Sequence, residues 1–226
     1  MKKQNMKSKK KVLRTVGAED QIFKLRISLE GTEPLVWRQV LVPGSFTLEA
    51  LHSVFQLVMG WQMKHLFDFG ITGQRYSEPD EFNDIPTKSV ASSLTAALNG
   101  EKSFAYNYDF GDGWRHLVQV EDVVSREDEF NYPICVGGEN ACPPEDCGGF
   151  PGFEELKQKL ANKNDPEHKE MLRWVGGYFD FKSFDANRIN RDMLWMIDWR
   201  REPNDQGLYL PFNAEDGSEF TGRLNS

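Results

Sequence analysis

The sequence predicts an α+β fold, in which a mixed or antiparallel sheet of about five strands carries a helix across one face and precedes a helical C-terminal part. Three observations predict it. Several stretches alternate apolar and polar residues, as half-buried strands do. One stretch between them repeats its apolar residues at helical spacing, and the later chain contains helix start and stop signals. The order of elements also fits a β-grasp-like arrangement.

The first two strands are predicted from alternation and from the positions of proline. In residues 21–30, Phe23, Leu25, Ile27 and Leu29 alternate with polar residues, which places those four side chains on one face of a strand. Residues 35–42 lie between Pro34 and Pro43. Prolines are tolerated there because the ends of a strand need not donate to the hydrogen-bond ladder. The two strands are therefore expected to form a hairpin.

A helix is predicted to follow this hairpin. Thr47 is a typical N-cap residue, apolar residues then recur at helical spacing, and Gly60 is a typical helix stop. Burial of each large apolar side chain stabilises a fold by about 1.5–3 kcal/mol before entropy is counted. We therefore expect this helix to pack across the hairpin.

The remaining elements are predicted from weaker patterns. The middle of the chain is predicted to contain, in order, a strand at 65–71, a polar surface loop at 74–86, a short helix at 89–98, and a hairpin with strands at 104–110 and 114–120. Helices are then expected at 153–160, at 166–175 and after a cap at Asp185. The chain after residue 200 is rich in Pro, Asn, Asp and Gly, and is expected to be irregular.

Charge divides the chain into a basic end and an acidic body. Residues 1–16 carry seven lysine or arginine residues and no acid, while the whole chain has a net charge of −8, which leaves −15 for residues 17–226. The predicted division is a basic disordered tail at 1–19, one α+β domain at 20–198 and an irregular extension at 199–226. An acidic body is a poor surface for duplex DNA. Nucleic acid is therefore expected only at the tail, whose alternative role is to solubilise the chain.

The composition also predicts where the protein is found. No apolar run approaches the ~20 residues that span a bilayer, and no apolar segment follows the basic N-terminus as in a secretory signal. Three cysteines are too few, and odd in number, for a secreted disulfide scaffold. The chain is therefore expected to be cytoplasmic, with no membrane partner. Its binding partner, a protein or a small ligand, is not specified by the sequence.

The most unusual stretch is residues 140–152, which read NACPPEDCGGFPG. Cys142 and Cys147 flank two prolines and two acids, and two glycines follow. Proline restricts φ and glycine permits positive φ, so this composition indicates a shaped loop. We call it the cysteine loop, and we expect it to hold a ligand or to lock the fold.

Zinc is the cofactor that the cysteine loop suggests. Cys142 and Cys147, together with His116 and His65, form the predicted metal site, and Cys135 is a further candidate ligand. Zinc takes four ligands from cysteine, histidine and carboxylate groups in tetrahedral geometry. Two alternatives remain open, because the cysteines could be small buried hydrophobic residues or could form a redox disulfide.

A second candidate is the turn DFGDG at residues 109–113. Asp109 and Asp112 could bind Mg²⁺ or Ca²⁺, or could cap the backbone of their own turn. Asp109, Asp112 and His116 around an open metal position would make a metal-assisted hydrolase. Cys142 or Cys147 with His116 would be a nucleophile and base if they touched. The sequence contains no phosphate-binding glycine loop and no dinucleotide fingerprint.

Six segments resemble the plasmid pRiA4b ORF-3-like family, whose members also resemble a TnpR-like passenger protein of insertion elements. The segments are WRQVLVPG at 37–44, MGW at 59–61, YDFGDGWRH at 108–116, YPICVGG at 132–138, ACPPEDCGG at 141–149 and GGYFD at 176–180. The resemblance covers residues 21–194. It implies a prokaryotic α+β domain linked to plasmids and mobile elements, and no established activity comes with it.

The chain departs from the family's pattern at one place. Members commonly have HLH where this chain has His65, Leu66 and Phe67, so a metal-binding pair there would keep only its first histidine. The TnpR resemblance suggests recombination. A serine recombinase, however, needs a nucleophilic serine among arginines and a basic DNA-binding domain, and the sequence contains neither.

These observations predict a non-enzymatic binding or adaptor domain of the mobile-element type. Its cysteine loop is expected to pack against the hairpin at residues 109–116 and to hold a structural zinc ion. The two alternatives are a metal-assisted hydrolase that uses this hairpin, and a nucleic-acid accessory protein that acts through the basic tail.

Overall fold

The computed structural model of the chain describes residues 21–78, 86–127 and 132–196. In chain order, its elements are β1 (Gln21–Leu29), β2 (Val36–Pro43), α1 (Leu48–Met59), β3 (Phe67–Ile71), β4 (Gln74–Tyr76), α2 (Leu94–Leu98), β5 (Ser103–Tyr108), β6 (Trp114–Ser125), β7 (Ile134–Glu139), α3 (Gly149–Ala161), α4 (His168–Trp174) and α5 (Ala186–Met196). The predicted tail at 1–19 and extension at 199–226 lie outside these ranges.

The strands of the described residues form one seven-stranded sheet, in the order β4-β3-β5-β6-β1-β2-β7. All six neighbouring pairs are antiparallel. The α+β class is therefore confirmed. The strand count and the β-grasp-like arrangement differ from the prediction, because β1 lies between β2 and β6 and is antiparallel to both.

Two short strands account for the larger sheet. β4 occupies the start of the stretch predicted as a surface loop at 74–86, and it pairs with β3 through Tyr76 and Phe69. Its three residues are too few to show a period of two. β7 contains Gly137 and Gly138, which interrupt any alternation, yet it pairs with β2. Both strands depend on their neighbours in the sheet.

Helix α1 covers one face of the sheet, as predicted. The Thr47 hydroxyl accepts the Ala50 N–H at 3.1 Å, and Gly60 ends the helix with a φ of 83°. Leu51 and Phe55 of α1 share one core with the inward side chains of β1, such as Leu25. The opposite face of the sheet is polar and half-exposed along β1.

The C-terminal helices complete the same layer. α3 begins at Gly149, four residues before the predicted start, because the cysteine loop leads directly into its first turn and the Gly152 N–H bonds to the Gly148 carbonyl at 3.2 Å. α5 packs on β7 and α1. Asn190 of α5 accepts the Cys135 N–H at 2.7 Å and donates to the Cys135 carbonyl at 2.9 Å. Among the described residues, no helix is both long and apolar enough to cross a bilayer.

Two histidines are buried between α1 and the sheet. His52 Nδ1 lies 2.7 Å from the Tyr106 hydroxyl, and its ring stacks on Phe67 at 3.6 Å between centroids. His116 is fully buried, and its Nδ1 lies 3.1 Å from the Tyr106 carbonyl oxygen. Burial lowers the pKa of His52 to about 3 and that of His116 to about 4. Both rings are therefore neutral in the folded protein at neutral pH.

We expect the free energy of unfolding to fall as the pH drops from 6.5, the ordinary pKa of these two histidines, towards about 5. The unfolded chain binds protons in this range while the two buried rings do not. Each histidine can therefore contribute up to about 1.4 kcal/mol per pH unit. Urea denaturation at several pH values measures the slope.

The variant His116→Gln provides the control, because glutamine retains an N–H donor for the Tyr106 carbonyl and does not titrate. Its slope should be shallower than that of the wild type over the same range. An equal slope in both proteins would show that His116 is not held neutral.

Candidate functional site

The cysteine loop lies on the end of the sheet where the turn at residues 109–113 joins β5 to β6. The Gly148 N–H donates to the Asp112 carboxylate at 3.2 Å. Gly149 approaches the Asp112 carbonyl so closely that a Cβ atom at residue 149 would overlap it. The loop therefore packs against the hairpin as expected, and glycine at residue 149 makes that approach sterically feasible.

An aromatic layer supports the loop from below. The Trp61 indole N–H donates to the Pro143 carbonyl at 2.9 Å, and the Tyr108 hydroxyl donates to the Glu145 carboxylate. The Trp61 ring stacks over Tyr108 at 5.0 Å and over Trp114 at 6.0 Å between centroids. Two directed hydrogen bonds thus fix the loop on a flat, buried surface.

A buried arginine fixes the segment that enters the loop. Arg38 of β2 is 4 % exposed, and it donates to the Val58 carbonyl at 2.8 Å and the Glu139 carbonyl at 2.9 Å. Burial lowers the pKa of Arg38, while the nearby thiols of Cys142 and Cys135 act in the opposite direction. The guanidinium group therefore ties the end of α1 to the end of β7, directly before the loop.

The polar atoms that lack partners concentrate at this place. In the described part of the chain, four buried side-chain atoms have no hydrogen-bond partner, namely His65 Nε2, Trp114 Nε1, His116 Nε2 and Glu145 Oε2. Trp114 and His116 contact the Trp61 ring, whereas His65 and Glu145 contact Tyr108. Buried polar atoms normally make hydrogen bonds. The region below the loop is therefore unusual in containing four buried polar atoms that make none.

The two loop cysteines are both thiols in this arrangement. Cys142 is buried with its Sγ 3.6 Å from the Met59 Sδ, and burial raises its pKa to about 12. Cys147 is half-buried, and burial together with the Asp112 carboxylate raises its pKa to about 12. Neither thiol has the lowered pKa that marks a reactive cysteine.

The structure brings together a different set of ligands from the predicted one. Among the described residues, the single group of three or more ligating side chains with atoms within 4.8 Å of one another is His65, Asp109 and Asp146. Cys142, Cys147 and His116 are not members of this group. Zinc binding by the cysteines stays a prediction. The hydrolase set of Asp109, Asp112 and His116 does not form a common group either.

His65 is the centre of this group. It lies in the connection before β3, and its Nε2 is 3.1 Å from Asp146 Oδ1 and 3.6 Å from Asp109 Oδ2. The imidazole ring stands edge-on to Tyr108, with centroids 5.8 Å apart. One nitrogen therefore lies close to two carboxylates from two different segments.

The backbone places both carboxylates. Asp109 and Asp146 adopt left-handed φ values of 54° and 59°, which aspartate tolerates better than most residues. Asp109 Oδ1 accepts the N–H groups of Gly111 at 3.0 Å and Asp112 at 3.2 Å. This confirms the turn-capping interpretation of Asp109. It leaves Oδ2 directed towards His65.

Asp146 was not singled out as a ligand from the sequence. The signal available in the sequence is the position of this acid, between the two cysteines of the cysteine loop. Residues 65, 109 and 146 are distant in the chain, and only the order of the strands brings their segments to one end of the sheet. The sequence predicts His65 as a ligand of the cysteine site and Asp109 as a ligand in the turn at 109–113, which are two separate hypotheses.

In the first turn of α3, Gly152 packs closely against the backbone carbonyl of Cys147 in the cysteine loop. A Cβ at Gly152 would overlap the Cys147 carbonyl, so Gly152→Ala should lower the free energy of unfolding by about 3 kcal/mol or more. Gly70→Ala is the control, because a Cβ there would meet Ala105 Cβ at an ordinary 3.6 Å. Urea denaturation of both variants checks this. Equal stabilities of the two variants would contradict the close approach.

The chain matches a known family over the residues that form the sheet and the cysteine loop. The model of the family described as "Plasmid pRiA4b ORF-3-like protein" matches residues 21–188. The chain is 38 % identical over 172 residues to the uncharacterized protein y4hQ of Sinorhizobium fredii, and the match covers 74 % of this chain and 86 % of that protein.

A solved structure shares the architecture. The protein of unknown function MM3350 from Methanosarcina mazei Go1 matches with a TM-score of 0.69 and 31 % sequence identity, over 75 % of this chain and 97 % of that chain. Neither relative has a stated activity. The matched residues include every strand of the described sheet and the whole cysteine loop. The chain therefore belongs to the plasmid pRiA4b ORF-3-like family.

Proposed function

We propose that this chain is a non-catalytic binding domain, and that its binding surface is the loop end of the sheet. The loop end is the surface formed by residues 30–35, 61–66, 109–113 and 139–147. These segments are linked by hydrogen bonds. The Asp109 N–H bonds to the Leu66 carbonyl at 2.9 Å, the Trp61 indole N–H to the Pro143 carbonyl at 2.9 Å and the Asn140 side chain to the Leu35 carbonyl at 2.8 Å. The partner is a protein segment with a basic and apolar surface.

The observation that carries this proposal is exposed apolar surface on a rigid support. Leu66 is 62 % exposed and Phe110 is 49 % exposed, and each adjoins a residue of the His65 group in the chain. Leu35 and Phe150 are also exposed. Clustered exposed apolar residues commonly mark interaction sites in soluble proteins. The Leu66 carbonyl accepts the Asp109 N–H and the Leu35 carbonyl accepts the Asn140 side chain, so the backbone of this surface is held before a partner arrives.

The charge of the loop end supports the choice of partner. Its four segments contain seven acids and one lysine, Lys64. The acids are Glu30, Glu33, Asp109, Asp112, Glu139, Glu145 and Asp146. Opposite charges steer association and suppress wrong partners. A basic peptide is therefore attracted, whereas the phosphates of nucleic acid are repelled.

The positions of the predicted catalytic residues favour binding over hydrolysis. His116 is fully buried below the loop, and the Asp112 carboxylate is engaged by the Gly148 N–H. A general base must reach the proton that it abstracts. Association with mobile elements, nucleic-acid binding through the basic tail and a cytoplasmic location stay predictions.

The first test uses a synthetic peptide in which lysine and leucine alternate, with binding followed by fluorescence anisotropy. We expect the double variant Leu66→Ser, Phe110→Ser to weaken its binding at least tenfold. Each lost apolar contact costs about 1.5–3 kcal/mol at full burial, and about 1.4 kcal/mol corresponds to tenfold in affinity. Higher salt should weaken binding to the wild type, because the attraction is partly electrostatic.

The matched control is Val123→Ser, Val124→Ser, which removes two exposed apolar residues from the end of β6 opposite to the loop end. Its affinity for the peptide should equal that of the wild type. Unchanged affinity in the loop-end variant, equal losses in both variants, or preferential binding of duplex DNA at the loop end would each contradict the proposal.

A further inference from the structure

We propose that His65, Asp109 and Asp146 form a binding site for one divalent transition-metal ion, with zinc as the ion to test. The site shares His65 with the predicted cysteine site but contains no thiol. The inference goes beyond the proposed function, since a metal ion at this place does not require a partner. It rests on the spacing, the unused bonding capacity and the chemistry of three side chains.

The spacing is that of ligands around one ion. Zinc binds imidazole nitrogen and carboxylate oxygen at about 2.0–2.2 Å, so two ligands of a tetrahedral zinc lie about 3.3–3.5 Å apart. The Nε2 atom of His65 lies 3.1 Å from Asp146 Oδ1 and 3.6 Å from Asp109 Oδ2. The longer distance exceeds that of an ordinary hydrogen bond. One distance is slightly shorter and the other slightly longer than the separation expected between two ligands of one zinc ion.

The ligand atoms also lack competing partners. His65 Nε2 is a buried atom that lies 3.1 Å from Asp146 Oδ1 but makes no hydrogen bond of good geometry, and its ring is held against Tyr108. Asp109 uses Oδ1 to cap its own turn and keeps Oδ2 for His65. A buried polar atom without a partner is costly. Coordination of an ion would satisfy this nitrogen.

The environment is closed on one side and open on the other. The Asp109 side chain is 10 % exposed, whereas that of Asp146 is 62 % exposed. Two carboxylates from different segments repel each other at short range, and a divalent cation between them removes this repulsion. Three protein ligands leave a fourth position of a tetrahedral ion free on the exposed side.

The donor set selects the class of ion. Imidazole nitrogen favours zinc and other late first-row metals, whereas Mg²⁺ and Ca²⁺ prefer sites made only of oxygen. One nitrogen and two carboxylate oxygens therefore favour Zn²⁺, Co²⁺ and Ni²⁺ over Mg²⁺ and Ca²⁺. Because His65, Asp109 and Asp146 belong to three segments, the ion would also join the cysteine loop to the sheet.

The experiment titrates the full chain with ZnCl₂ by isothermal calorimetry, at neutral pH and under reducing conditions. We expect one zinc per chain in the wild type and at least tenfold weaker binding in His65→Ala and in Asp146→Asn. The matched control is Cys147→Ser, which lies beside Asp146 and belongs to the rival cysteine site. Its affinity for zinc should be unchanged.

A second readout separates the site from misfolding. Zinc should raise the melting temperature of the wild type and of Cys147→Ser, because a ligand that binds only the folded state stabilises it. It should leave the two other variants unshifted. Bound Co²⁺ should show no thiolate charge-transfer band, since sulfur is not a ligand.

Three outcomes would overturn the site. They are the absence of stoichiometric zinc binding, zinc binding that survives both His65→Ala and Asp146→Asn, and zinc binding that is lost in Cys147→Ser. The proposed function is tested separately. Loss of zinc with retained peptide binding would leave that function intact, and the reverse result would overturn the function alone.

Discussion

The indole of Trp61 is the contact on which the candidate site depends. Its N–H holds the cysteine loop through the Pro143 carbonyl, and its ring lies over Tyr108 and Trp114 of the sheet. Trp61 directly follows Gly60, whose left-handed conformation ends α1. The helix end, the sheet and the loop therefore meet at a single buried side chain. Directed hydrogen bonds place such a side chain where burial alone would not.

Much of the fold could be predicted from the sequence, because alternation and capping are local. The strands and helix at the N-terminus, the Thr47 cap and the second hairpin are examples. β4 and β7 could not be predicted, since a three-residue strand and a glycine-containing strand carry no period. The candidate site was predicted only in pieces. His65 and Asp109 could be named as candidate ligands. That Asp146 lies beside them depends on the order of the strands, which the sequence pattern does not show.

The two loop cysteines have different surroundings. They are few and closely spaced, which suggested a shared ion. In the fold, Cys142 faces Met59 below the loop, while Cys147 lies nearer Asp112 and the start of α3. Arg38 is a buried cation whose hydrogen bonds are made to the backbone. A buried cation usually implies a carboxylate, yet this guanidinium group is bonded to the backbone carbonyls of Val58, Trp37 and Glu139.

Asn190 has a consequence for the solution behaviour of the protein. Its side-chain amide bonds both the N–H and the carbonyl of Cys135, in the way a neighbouring strand would. β7 is the last strand of the sheet on that side. An unpaired edge strand is a template for pairing with another chain, which leads to domain swapping and aggregation. A single amide on α5 thus occupies part of that edge and leaves fewer backbone groups of β7 for another chain to pair with.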